Sequence, residues 1–258
     1  MTEPDEDELL SVADEAARAA ASELVARFGG RARGIGTKST PTDPVTEADL
    51  AAEQAVRGVL ARRRPEDRVL GEEGGATGEG RLRWVVDPLD GTVNFLYGIP
   101  AFAVSIACED ESGAVAGVVL DVVREECFAA TRSGQATLNG EAIRPSGCRA
   151  LATALVATGF GYDARVRARQ ASVVGRLLPR VRDIRRVGAA AIDLGWCACA
   201  RFDAYYERGV KAWDVAAGVL ICARAGLEVR ALPAGGEDPE GVVVAPGTII
   251  EELFELVR

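Results

Sequence analysis

The residues of this chain that could do chemistry are oxygen acids. In Trp84-Val85-Val86-Asp87-Pro88-Leu89-Asp90-Gly91-Thr92 an apolar strand ends in two aspartates and then a hydroxyl. Proline at 88 bends the chain after Asp87, and Asp90-Gly91 makes a second turn, so both carboxylates can face one point. A helix opening at Thr92 would aim backbone N–H groups the same way, which makes a seat for a phosphate. Those residue types are also what an ordinary turn uses. Further acids alter the balance: Gly71-Glu72-Glu73 just after the strand Val69-Leu70, and Trp213-Asp214 at the start of a predicted helix. Singly, Glu72-Glu73 reads as a solvated loop and Asp214 as a helix cap. In combination with Asp49 and the Asp87 to Thr92 segment, those explanations lose their force. The sequence has no histidine at all. Serine-histidine and cysteine-histidine catalysis, histidine general bases and most catalytic zinc sites are thereby excluded, and acid-base chemistry must rest on carboxylates, hydroxyls or metal-bound water.

The elements that must position these groups follow from periodicity. Residues 5 to 28 place Leu9, Ala13, Ala16, Ala17, Ala20, Leu24 and Phe28 at helical spacing until Gly29-Gly30 stops the run. Residues 46 to 60 predict a second helix with Thr46 as N-cap and Asp49 in its first turn, where the helix dipole favours a carboxylate. Short strands are expected at 68 to 70, 83 to 86, 102 to 108, 115 to 120 and 127 to 131. Residues 71 to 80 read as a glycine-rich loop without the Gly-Lys-Ser/Thr of a nucleotide P-loop. Around Glu141 to Arg149 the chain turns polar and irregular, and strands then alternate with helices. We therefore expect two parts: 1 to 145, helices plus an antiparallel sheet carrying most candidate ligands, and 146 to 258, an α/β half contributing Asp214. Strands are expected at 155 to 158 and 183 to 187, and helices at 189 to 200, 213 to 225 and 247 to 257.

With 258 residues and 48% hydrophobic content, the chain can bury a sizeable core. A net charge of -9 leaves no basic face for a phosphate backbone, so no nucleic acid is expected as main partner. No apolar stretch of about twenty residues and no secretion signal are present, which predicts a cytoplasmic protein without a membrane partner. The six cysteines are scattered, and only Cys197 and Cys199 come near a metal-ligand spacing, so buried thiols are expected.

From first helix to last, the sequence resembles the inositol monophosphatase family. The family's Glu-Glu, Asp-Pro-Ile/Leu-Asp-Gly-Thr-x-Asn-Phe and Trp-Asp appear in order as Gly71-Glu72-Glu73, Asp87 to Phe95 and Trp213 to Gly218. Upstream, Lys38 to Asp49 is similar to the family's Lys...Asp-x-Val-Thr-x-x-Asp; downstream, Val187 to Ala191 and Asp203 to Glu207 resemble its substrate-contacting segments. The resemblance implies a layered αβαβα sandwich of the type shared with fructose-1,6-bisphosphatase, commonly dimeric. It implies that Glu72, Asp87, Asp90, Asp214 and the backbone oxygen of Leu89 hold up to three magnesium ions, and oxygen-only ligation suits so hard a cation. Two carboxylates about 4 Å apart repel by roughly 4 kcal/mol at an effective dielectric of about 20, so bound metal should stabilise such a site.

The implied reaction is in-line attack of a metal-activated water on phosphorus, with Glu72, Thr92 and Asp49 as the catalytic set and Thr92, hydrogen-bonded to Asp49, helping to remove the water's proton. Amides of Gly91 and Thr92 would hold phosphate oxygens. Asp90, Ala190 and Glu207 would touch ring hydroxyls, and Asp214, also counted among the substrate-binding residues, would join Asp87 and Asp90 in holding a second ion that stabilises the departing oxygen, while Lys38 and Glu73 belong to the surrounding motif. Tyr205-Tyr206-Glu207 makes inositol 1-phosphate the first choice of substrate among small polyol and sugar phosphates. Fructose-1,6-bisphosphate, histidinol phosphate and phosphoadenosine phosphate are handled by related enzymes.

Two other classes are weighed. A haloacid-dehalogenase-like phosphatase needs an aspartate nucleophile two residues before Asp90, where Pro88 stands, so the covalent route lacks its nucleophile. A non-catalytic metal- or phosphate-binding regulator has no need of Asp49, Glu72 and Thr92 as a water-activating group.

Overall fold

The computed structural model describes residues 5–30, 34–38 and 44–258. The first half runs α1 (Glu6–Val25), β1 (Gly36–Thr37), β2 (Pro44–Val45), α2 (Glu47–Arg63), β3 (Arg68–Gly71), β4 (Gly75–Thr77), β5 (Arg83–Asp90), α3 (Thr92–Leu96), β6 (Ala103–Asp110), β7 (Gly113–Asp121), β8 (Glu126–Thr131), β9 (Thr137–Leu138) and β10 (Glu141–Ala142). The second runs β11 (Leu155–Thr158), α4 (Ala164–Leu177), β12 (Asp183–Arg185), α5 (Ala190–Ala198), β13 (Ala204–Arg208), α6 (Ala212–Ala225), β14 (Glu228–Leu232), β15 (Gly241–Ala245) and α7 (Ile250–Val257).

Two of the first helices begin as their sequences demand. Asp5 caps α1 by accepting from the Glu8 N–H at 3.1 Å, with three acids in the first turn to meet the helix dipole. Thr46 and Asp49 form a capping box on α2: the Thr46 hydroxyl accepts from Ala48 N–H at 3.1 Å, and Asp49 Oδ2 accepts from Thr46 N–H at 2.8 Å. The alanine-rich face of α1 and the Ala52, Val56, Val59, Leu60 face of α2 are buried together.

Strand alternation builds the layers. In β5, Trp84 and Val86 turn into the core shared with α1 and α2, while Val85 turns into the core shared with α5 and α6. β6 and β7 divide the same way, Val104, Ile106, Val118 and Leu120 to one side and Ala103, Ala107 and Val119 to the other. In the smaller sheet Tyr205, Val242 and Val244 reach the α5/α6 core, and Tyr206 and Val243 reach a third core with Leu177, Ile250 and Leu253. The order is therefore α1/α2, eight-stranded sheet, α5/α6, five-stranded sheet, α4/α7, which is the expected αβαβα sandwich. The large sheet is an antiparallel meander, β10-β9-β8-β7-β6-β5, with β3 added parallel to β5 and β4 at the edge; the small one has the order β12-β11-β13-β15-β14.

Two expectations need correction, and some elements carry no expectation at all. β5 does not stop at Val86 but continues to Asp90, because the register against β6 shifts between Asp87 and Asp90 and the bulge accommodates Pro88. The stretch from 71 to 80 is not all loop, since Gly75–Thr77 pairs with β3. The apolar spacing marks neither helix α4, capped by Asp163 at the N–H groups of Arg165 and Val166, nor strands β13, β14 and β15. Among the described residues no helix is long and apolar enough to cross a membrane, and all six cysteines are free, four of them buried and Cys148 and Cys199 half-buried.

Candidate active site

The bulge after Asp87 sets the site's geometry. The Asp87 carboxylate accepts from the Leu89 N–H at 3.0 Å, a local turn that folds the chain back so that Asp90 faces the same way. Gly91 then takes φ +93° as the residue before α3, where a Cβ would stand 3.0 Å from the Ala101 carbonyl and 3.2 Å from the Ala189 Cβ. The short helix is pinned from behind by a cluster of Phe28, Phe95 and Phe102 with ring centroids 4.8 to 5.5 Å apart. Asn94 donates to the Ala101 and Val187 carbonyls at 2.7 and 3.0 Å. That second bond ties α3 to the segment leading into α5.

Helix α2 and helix α3 meet at the candidate water-activating pair. The Thr92 hydroxyl lies 3.0 Å from Asp49 Oδ1 and 3.1 Å from the Leu89 carbonyl, so its one proton has two acceptors within reach. Asp49, fully buried, also accepts from the Thr46 hydroxyl at 2.6 Å.

Two helix starts bring the remaining acids. Asp90 Oδ2 accepts from the Ala191 N–H at 2.7 Å, an N-terminal cap for α5 supplied from 101 residues away. Asp214 caps its own helix, accepting from the Lys211 N–H at 2.6 Å, so the ordinary-cap explanation is true without being the whole of it. Ser105, opposite Asp87 in the sheet, donates to the Trp213 carbonyl at 3.1 Å and fastens the start of α6 to β6.

Glu72, Asp87, Leu89, Asp90, Gly91, Thr92, Ala190, Glu207 and Asp214 line one cavity of about 510 Å³, together with Lys38. It opens where strands β3, β5, β11 and β13 end and helices α3, α5 and α6 begin. Glu207 is on the middle strand of the five-stranded sheet, not at an edge, and Tyr205 donates to it at 2.8 Å. Gly159 leaves it room: a Cβ there would stand 2.0 Å from a Glu207 oxygen. Nor are Glu72 and Glu73 a solvated pair, because their side chains are 18% and 8% exposed and both pair with Lys38, Glu72 at 2.8 Å. Ser39 to Asp43 of the upstream motif lie outside the described residues.

The electrostatics are those of acids taken from water. Burial first, then repulsion from Glu72, Asp90 and Asp214, pushes Asp87 well above the carboxylate range. Burial and Asp214 do the same to Asp90 against the Ala191 N–H. Asp214 rises to about 6, chiefly by burial, opposed by the Lys211 N–H and by the neighbouring Asp87 side chain. Glu72 is raised by burial although Lys38 opposes it; Glu207 and Glu73 rise to about 7 for the same cause. Burial lowers Lys38, but Glu72 and Glu73 outweigh it and hold the ammonium charged.

That pattern bears on a cation. The donors facing the cavity are oxygens, and burial and mutual repulsion hold several of these acids above their usual range, so positive charge is in demand there. The set therefore fits a hard divalent ion such as magnesium. Among the described residues no three acids already stand in a metal-holding group, and Lys38 is the charge that Glu72 does meet.

Some participants carry no legible signal in sequence. Glu53 on α2 accepts from the Glu73 and Gly74 N–H groups at 2.7 and 2.8 Å; only its position one turn after Asp49 could have drawn attention. Asp193, one turn into α5, is 1% exposed with Oδ1 lacking a hydrogen-bond partner among the described residues. Burial, Glu207 and Asp90 raise its pKa well above the usual range. Arg186 lines the same cavity.

Known proteins resemble this chain in sequence and in fold. Residues 5–257 match the inositol monophosphatase family. The chain is 44% identical over 281 residues to the inositol-1-monophosphatase SuhB of Mycobacterium tuberculosis, covering 100% of this chain and 97% of the relative. It is 42% identical over 226 residues to the Nus factor SuhB of Pseudomonas aeruginosa, covering 84% and 83%. The crystal structure of extragenic suppressor protein suhB from Bartonella henselae superposes with a TM-score of 0.88 at 33% identity, covering 97% of this chain and 98% of that one. A family match spanning nearly every residue, on a fold whose layers agree with it, places this chain in the inositol monophosphatase family.

Proposed function

We propose that this protein hydrolyses a phosphate monoester with magnesium, and that inositol 1-phosphate is its substrate. The observation that carries the reading is the convergence of Glu72, Asp87, Asp90 and Asp214 on one cavity beside the Thr92–Asp49 pair. Those four acids and the Leu89 carbonyl are the groups that would hold the metal, and bound magnesium supplies the positive charge that activates water and neutralises phosphoryl and leaving oxygens. Thr92 relays a proton towards Asp49, which is already fixed by Thr46 and need not move. Gly91 and Thr92 present the phosphate seat at the mouth of α3, and Asp90, Ala190, Glu207 and Asp214 bound the space for a polyol. A carboxylate such as Glu207, held by Tyr205, accepts from sugar hydroxyls.

The substrate assignment is supported by full-length relatives named inositol-1-monophosphatase. We read the working form as a cytoplasmic homodimer, each chain divided into residues 1 to 145 and 146 to 258. The test is magnesium-dependent phosphate release from inositol 1-phosphate, fructose-1,6-bisphosphate, histidinol phosphate and phosphoadenosine phosphate. Inositol 1-phosphate should give the highest kcat/KM, and preference for another of the four transfers the assignment to it.

Relatives named Nus factor SuhB support a second reading, in which the chain has a binding role and its surface charge does not exclude nucleic acid or protein partners. Absence of release from all four substrates with magnesium present would favour that role. Turnover that Glu72→Gln lowers by orders of magnitude, in a chain that still folds, favours the enzyme.

A further inference from the structure

Glu53 is 3% exposed and sits inside the loop that carries Glu72. Its Oε2 accepts from Glu73 N–H at 2.7 Å, and its Oε1 accepts from Gly74 N–H at 2.8 Å and from Arg57 Nε at 2.7 Å. Arg57 then clamps the far side of the same loop, donating to Thr77 Oγ1 at 2.9 Å and to the Gly75 carbonyl at 2.8 Å. The loop approaches so closely that a Cβ on Gly71 or on Gly74 would stand 2.5 Å from Glu53 Oε1. Glycine on either side of Glu72-Glu73 is the room this carboxylate occupies. Glu72 itself is tied to the sheet through its N–H and the Val86 carbonyl at 3.2 Å. One helix thus governs two parts of the site: Asp49 holds Thr92, and one turn on, Glu53 holds the backbone bearing Glu72.

We infer that Glu53 is a positioning residue that fixes the Glu72-Glu73 turn so that the Glu72 carboxylate is presented to the cation in register with Asp49. The inference rests on the metal-dependent reading above. Glu53 touches neither substrate nor reacting atoms; it acts through the loop, as outer-shell partners act on metal ligands.

Magnesium binding by isothermal titration calorimetry on the full chain, Glu53→Gln and Gly74→Ala tests this, alongside thermal midpoints and the magnesium dependence of phosphate release from inositol 1-phosphate. Glu53→Gln keeps length and one acceptor but sets an NH2 against one of the loop N–H groups. Gly74→Ala removes no titratable group but crowds the Glu53 carboxylate and the Arg57 guanidinium from the loop side. Both variants should weaken magnesium binding about tenfold or more, and raise the half-saturating magnesium for turnover by the same factor. The substrate KM at saturating magnesium should stay within about twofold of wild type. Wild-type magnesium affinity in both variants overturns the inference even if their midpoints fall, because a merely structural role moves only the midpoint. Wild-type chain that binds magnesium yet releases no phosphate overturns the hydrolytic reading alone, and the binding comparison still decides Glu53; wild-type chain that binds none overturns both.

Discussion

Thr92 shows how little a single side chain has to do once its surroundings are fixed. Its hydroxyl has a buried acceptor at 3.0 Å whose other oxygen is occupied by Thr46, so a proton given to Asp49 needs no reorganisation. Thr92→Val keeps the shape and removes the proton. We expect kcat to fall roughly 10²- to 10⁴-fold with KM little changed, as read by steady-state phosphate release; an unaltered kcat would take the hydroxyl out of the reaction. The carboxylates differ from one another by partner rather than by type. Asp90 and Asp214 each give an oxygen to a helix N-terminus, whereas Glu72 is met by Lys38.

The turn from β5 into α3 is where local geometry becomes function. It depends on Gly91, whose left-handed backbone is disfavoured for any L side chain by about 1–2 kcal/mol and whose Cβ position is closed by the Ala101 carbonyl and Ala189. Gly91→Ala should therefore lower the urea unfolding midpoint and reduce turnover together, and an unchanged midpoint would show that the backbone there is not constrained. This turn was legible in sequence because proline, glycine and two aspartates mark it directly, as Thr46 and Asp49 mark the start of α2. The strands β5 to β7 were legible as apolar runs, but the layers were legible only through the family resemblance, because the two faces of those strands emerge once they are paired and packed. Other elements hid their role. Glu53 meets backbone N–H groups 20 and 21 residues away, and no spacing announces such a contact. Helix α4 is rich in arginine and buries only Gln170 and Leu177, so its apolar periodicity is faint. Pro88 argued for a strand ending before it, and only the bulge against β6 lets the strand pass.

For the molecule as a whole, the buried acids couple folding to pH and, on the proposed reading, to a cation. Asp214 titrates near 6 and Glu73 and Glu207 near 7, with Glu72, Asp87, Asp90 and Asp193 also raised. A raised folded-state pKa means the native chain holds more protons than the unfolded one, so without metal, stability is fullest below the unfolded values near 4 and is lost as pH rises through about 7. The acids held low by arginine or backbone N–H partners, such as Asp110 at about 2, act below that window. A divalent cation held by the ionised acids, as proposed above, would reverse the loss, with an affinity that grows as the competing protons leave. The most direct measurement is the thermal midpoint of the chain at pH 5.5 and pH 8, each with chelator and with saturating magnesium. The chelated protein should be less stable at pH 8 than at pH 5.5, and magnesium should raise the midpoint more at pH 8. Equal magnesium shifts at both pH values, or chelated protein that grows more stable across this interval, would contradict this coupling.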